Sequence, residues 1–172
     1  MIITSSQDFL ARHFITQPPV PIKALVKQHA KLNYFDATMD PDFDEEAGFT
    51  VLEGKSYFVY LNRGLIEGRD KFTLAHELGH IVLHHLKFFD PNILSPLMLR
   101  ALDQDADKFA ANILMPADWV TAACNFNPPV TPGNINQLRC LFGVSWNALM
   151  IRLDELGIQR YRISKNILEG AY

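Results

Sequence analysis

The sequence predicts an α+β fold, mostly helical, with a small antiparallel sheet lying beside one buried helix. Three observations predict it. The segment Lys71 to Leu86 lacks proline and spreads Phe72, Leu74, Leu78, Ile81, Val82 and Leu86 around most of a helical circumference, the pattern of a helix enclosed by its own domain. Two runs rich in aromatic and β-branched residues precede it, Gly48 to Leu52 and Ser56 to Leu61. The Glu53-Gly54-Lys55 segment between them suits a hairpin turn. Helical patterns then fill the chain to its C-terminal third.

Taken in order, residues 1–17 read as an N-terminal extension holding a short helix capped by Ser5 or Ser6. Gln17-Pro18-Pro19-Val20-Pro21 breaks it and enters the next helix, Ile22 to Leu32, with Pro21 suited to its first turn. The acidic stretch Asp40 to Glu46 reads as a solvated loop. After the hairpin and the central helix, a long helix covers Pro96 to Met115 and stops at Pro116. Ala117 to Cys124 supply another turn or two before the Pro128-Pro129 and Thr131-Pro132-Gly133 loops. Two short helices close the pattern, Asn134 to Phe142 and Ser145 to Leu156, with Gly143 between them and Gly157 as a cap. No internal repeat or low-complexity tract is visible, and 172 residues fit one domain, 1–172.

Composition excludes several classes. Apolar residues at 48% and charged residues at 20% are ordinary for a globular chain. Two cysteines, Cys124 and Cys140, make no disulfide framework and no C-x-x-C pair, so free thiols in a reducing cytoplasm are expected. No signal peptide and no run of about 20 apolar residues is present, so neither export nor a membrane span is expected. Sixteen Lys and Arg against nineteen Asp and Glu give a net charge of −3, which disfavours direct nucleic-acid binding.

The string Thr73-Leu74-Ala75-His76-Glu77-Leu78-Gly79-His80 carries the chemistry. Histidines four apart stand one helical turn above each other, so His76 and His80 can reach one metal ion. Imidazole nitrogen suits zinc, and a catalytic zinc keeps one position open beside three protein ligands. Glu77 projects to one side of the ligand face, where it can take a proton from water acidified by the metal. Buried in an otherwise apolar helix, these polar residues would be costly without a metal or partners. Mn2+ and Fe2+ suit two histidines and a carboxylate as well as Zn2+ does.

A third ligand must come from elsewhere. The positions three and six beyond His80 hold Leu83 and Leu86, not the Gly and His of a metzincin. His84 could ligate only if the helix bent, and His85 is expected to point away. The next helix is the better source. Its core face is set by Leu102, Ala106, Phe109, Ala110 and Ile113, and Asp103 and Asp107 fall on or beside that face while Asp105 falls to the other side. Asp103 is the expected third ligand, and Asp107 the carboxylate that orients a ligand histidine through its other ring nitrogen. For an oxyanion donor, Arg69, Tyr57 and Tyr60 are candidates by sequence position alone.

Phe72-Thr-Leu-Ala-His-Glu-Leu-Gly-His80, followed some two dozen residues later by a block ending Phe109-Ala-Ala-Asn-Ile-Leu-Met-Pro116, resembles the ImmA/IrrE family of metallopeptidases. The resemblance covers most of the chain and extends to Val144-Ser145 and Arg152-Leu153. It implies a zincin-like, gluzincin-like fold, histidine ligands at His76 and His80, a catalytic glutamate at Glu77 and an acidic ligand at Asp103. The family pattern has Glu at that last position. Asp is one methylene shorter, so the second helix must approach more closely or a water must bridge. The resemblance also implies a cytoplasmic zinc endopeptidase that cleaves a helix-turn-helix repressor, in phage or mobile-element induction, stress response or toxin–antitoxin regulation.

Two rival readings stand beside it. Residues 134–157 have the outline of a helix-turn-helix, with Trp146, Asn147 and Arg152 on the second helix, which would make a DNA-binding regulator. The alternative use of these helices is to complete the core through Leu141, Val144, Leu149 and Leu153. The other rival is a metal-bearing partner or toxin of an Xre-type repressor that does not cleave. A substrate of the peptidase is expected to add to the edge of the Ser56 to Leu61 strand.

Overall fold

The computed structural model describes residues 6–37, 47–66, 68–88, 93–124 and 131–158. The expected acidic loop, the Pro128-Pro129 loop and the possible cap at Ser5 lie outside the described residues. Helix α1 is Ser6–Arg12 and α2 is Ile22–His29; β1 follows at Lys31–Phe35. The hairpin is β2, Gly48–Glu53, and β3, Ser56–Asn62, turning through Gly54 at φ 62°. Then come α3 (Arg69–Val82), the single turn α4 (His85–Phe88), α5 (Pro96–Leu114), α6 (Ala117–Ala123), α7 (Pro132–Phe142) and α8 (Trp146–Glu155).

The mostly helical α+β architecture stands, with the hairpin antiparallel as expected, but the sheet is mixed. β1 pairs parallel to β3, Leu32 opposite Val59 and Tyr34 opposite Leu61, so the order is β1-β3-β2. The segment expected to continue α2 as far as Leu32 therefore becomes a strand. β3 is central and both its edges are occupied, which overturns the expectation that a substrate adds to it. Among the described residues, the open edges belong to β1 and β2.

Helix α3 lies at the centre of the core. Leu74, Ala75 and Leu78 are at most 2% exposed, and α3 packs on α5, α2 and the sheet. Its approach to α5 is close because Gly79 has no side chain. A Cβ there would lie 3.1 Å from the Ala106 Cα and 3.2 Å from its carbonyl oxygen. The start of α3 is equally tight. Gly68, at φ 86°, abuts the turn between α7 and α8, where a Cβ would come within 2.5 Å of the Ser145 backbone nitrogen.

Helix α3 ends four residues before the expected Leu86. His84 adopts φ 60°, a left-handed conformation uncommon for a residue with a side chain, and the chain turns into α4. Caps account for the later helices. Ser95 accepts from the Met98 backbone N–H, Ser145 from that of Ala148, and Thr131 with Asn134 forms a capping box. The α7–α8 pair does complete the core, through Val144, Leu149 and Leu153 together with Ile135, Leu138 and Phe142. Leu141, expected among them, is 43% exposed because it sits on the outer face of α7. Arg152, one of the side chains a recognition helix would offer to DNA, is buried. Its Nε donates to the Met115 carbonyl at 3.0 Å and its Nη2 to Asn112 Oδ1 at 2.6 Å. Both cysteines are free thiols. No helix among the described residues is long and apolar enough to cross a membrane.

Candidate metal centre

One turn apart on α3, His76 and His80 turn their Nε2 atoms toward each other at 3.0 Å. From α5, Asp103 brings Oδ1 to 3.5 Å from His80 Nε2. The three ligand atoms all lie within 4.8 Å of one another, the one such group of three or more acidic, histidine or cysteine residues found among the described residues. Nitrogens about 2.0–2.1 Å from a tetrahedral zinc stand about 3.3 Å apart, so a small adjustment of either imidazole accommodates the ion. The donor set, two imidazoles and a carboxylate, fits zinc and its divalent neighbours.

Around these three atoms, each imidazole has an outer partner. His76 Nδ1–H donates to Asp107 Oδ1 at 2.8 Å, which leaves its Nε2 as the inward atom. His80 Nδ1 lies 3.0 Å from His85 Nδ1. The expectation that His85 points away is thus wrong. It assumed an unbroken helix, whereas the turn at His84 swings the His85 ring back under His80, where the residue is 5% exposed. His84 itself contacts Phe88, edge to face.

Burial, then the neighbouring His76 and His85, push the His80 imidazole down to about 3. His85 is also lowered by burial, which outweighs the opposing pull of Asp105 and Asp103. Both rings are therefore neutral near pH 7, the form that can ligate a metal. Glu77 is 5% exposed and points to the sheet side, where Thr50 Oγ1 of β2 donates to its Oε2 at 2.7 Å. Asp103 and Asp107, by contrast, are more than half exposed, so the cluster is walled by α3 and the sheet and open toward α5.

Beside the opening runs a groove of about 740 Å³ whose lining includes Asp107, Arg69, Phe72, Trp146 and Ile151. That volume is in the range of ligand-binding clefts. Of the side chains considered as oxyanion donors, Arg69 lines this groove and Tyr60 stacks on Phe49 at 4.9 Å. Asp105 pairs with Lys108 at 3.3 Å. The structure thus brings His76, His80, Asp103, Asp107 and Glu77 into one locality. Thr50 and His85 join them without any earlier signal. Thr50 is one β-branched residue among several in a strand, and His85 depends on a backbone turn that no glycine marks.

A buried helix carrying two histidines and a glutamate, closed by a carboxylate from a neighbouring helix, is the site of a metallopeptidase-type domain. The chain belongs to the Peptidase M78 family, described as the IrrE N-terminal-like domain, whose profile it matches over residues 28–154. No curated protein matches the chain. The family is typically metal-dependent, in keeping with the two histidines and aspartate gathered here.

Proposed function

We propose that the protein is a zinc-dependent endopeptidase of the cytoplasm that cuts a helix-turn-helix repressor at a limited number of bonds. One observation carries the reading: His76, His80 and Asp103 present ligand atoms within 4.8 Å of one another while the buried Glu77 stands beside them on the same helix. His76, His80 and Asp103 would hold the ion. When bound, it supplies Lewis acidity that polarises the scissile carbonyl and makes water acidic enough to react near neutral pH.

The chain's own residues do the rest. Glu77 takes the proton of the attacking water and returns it to the departing amine, so the peptide bond breaks with atoms and charge balanced. Thr50 holds one Glu77 oxygen by donating to it, which keeps the carboxylate oriented while burial keeps it dry. Asp107 fixes the His76 tautomer. Substrate backbone pairs with the open edge of β2, the strand that carries Thr50, and apolar side chains of the substrate enter the groove past Asp107 toward Trp146 and Ile151.

The test is Glu77→Gln in the zinc-loaded protein, incubated with helix-turn-helix repressors of the same genome and read by mass spectrometry. The variant is expected to keep its zinc and to lose cleavage by roughly 10²–10⁴-fold, the scale of general-base catalysis. Equal cleavage by the variant removes the mechanism. Zinc retained by the natural protein with no repressor cut would support the reading of a metal-bearing partner that does not cleave.

A further inference from the structure

We propose that His85 is a positioning residue for the metal centre: its Nδ1 accepts the Nδ1–H of His80 and so aims the His80 Nε2 lone pair inward. The inference rests on the metal reading above and is independent of whether any peptide is cut.

Three observations carry it. First, the two Nδ1 atoms are 3.0 Å apart and the rings meet edge to face, 4.9 Å between centroids at 77°. Two ring nitrogens at that distance share one proton. With His80 Nε2 facing His76 Nε2 and Asp103, the proton belongs on His80 Nδ1, and the lone pair on His85 Nδ1. Second, His85 is 5% exposed, so its ring is held in place beside His80 and does not swing out into water. Third, His84 at φ 60° ends α3 with a turn that a straight helix would not make, and it is this turn that returns His85 to His80. The arrangement mirrors the other imidazole, whose Nδ1 is held by Asp107. Each ligand histidine then has its own outer partner, a carboxylate for one and an imidazole for the other.

The probe is zinc alone. Its dissociation constant is measured by competition with a chromophoric chelator for the full chain and for His85→Ala and His85→Gln, with melting curves of the metal-free forms alongside. Removal of the acceptor in His85→Ala is expected to weaken zinc binding about 10- to 100-fold, and the amide oxygen of His85→Gln to restore most of it. Zinc affinity within threefold of the natural protein in His85→Ala overturns the proposal, whatever happens to the melting curve. Should that variant fail to fold, the natural zinc-loaded protein with ¹⁵N-labelled histidine decides the matter. A scalar coupling across the His80 Nδ1–H to His85 Nδ1 hydrogen bond is expected, and a His80 that ligates through Nδ1 refutes it. Failure of the natural protein to bind zinc overturns both this inference and the metal reading. Cleavage absent while the His85 effect persists overturns the peptidase alone.

Discussion

Thr50 and Glu77 meet across the boundary between sheet and helix, where a 2.7 Å hydrogen bond ties the strand's hydroxyl to the proposed base. Replacing Thr50 by valine keeps the shape and removes the donor. If Glu77 works as proposed, kcat/KM of peptide cleavage should fall roughly tenfold, about 1.4 kcal/mol, with zinc content unchanged. A fall in zinc content instead would place Thr50 in the support of the ligands. The same residues show what a sequence can disclose. His76, Glu77 and His80 are legible because their relation is local, a matter of helical spacing on one element. Asp103 and Asp107 are legible at one remove, since the periodicity of α5 sets which aspartates face inward. Thr50 and His85 depend on a strand meeting a helix and on one left-handed residue, and neither relation is written in local spacing.

At the scale of elements, α3 and α5 are held together at a point with no adjustable side chain. Gly79 faces Ala106 so closely that an added methyl would touch the Ala106 backbone at 3.1–3.2 Å and Phe109 Cδ1 at 3.2 Å. Gly79→Ala should gain about 1 kcal/mol in helix propensity and lose a similar amount to overpacking, so the melting temperature of the metal-free protein should move little. Zinc affinity should fall about tenfold or more, because Asp103, a methylene shorter than glutamate, cannot reach back to the α3 histidines once α5 is pushed away. Titration of both proteins with a competing chelator checks it, and unchanged affinity would show that the helix spacing is not what sets the site. The elements misread from sequence have physical causes of the same kind. Nothing in His29-Ala30-Lys31-Leu32 marks a stop, yet the α2 pattern gives way to β1 because pairing with β3 is available. The α3 pattern runs on in apolar residues past Val82, and the turn at His84 is a tertiary choice.

For the molecule as a whole, acid should act through its buried imidazoles. The pKa of His80 falls to about 3, and those of His29 and His85 are also lowered, each chiefly by burial. The unfolded chain takes up these protons near the ordinary histidine value of about 6.5, before the folded state does. Stability is therefore complete above that pH and is lost as pH falls below it, continuing for His80 toward about 3. Each such histidine contributes a slope of up to about 1.4 kcal/mol per pH unit. Denaturant midpoints of chelator-treated protein should drop steadily from pH 7 to pH 4, and a flat profile over that range would mean that the imidazoles titrate normally in the fold.

The contact between Gly68 and the Val144–Ser145 turn sets a lower limit on how far this chain can be shortened. The residue that caps the histidine-bearing helix is seated on the joint of the last two helices, so those helices serve as its abutment. A chain cut back before residue 131 would leave that seat vacant and strip Ile135, Leu138, Phe142, Val144, Leu149 and Leu153 from the core. Anyone seeking a minimal metal-binding fragment should keep the polypeptide through Ile158, which still packs against the core.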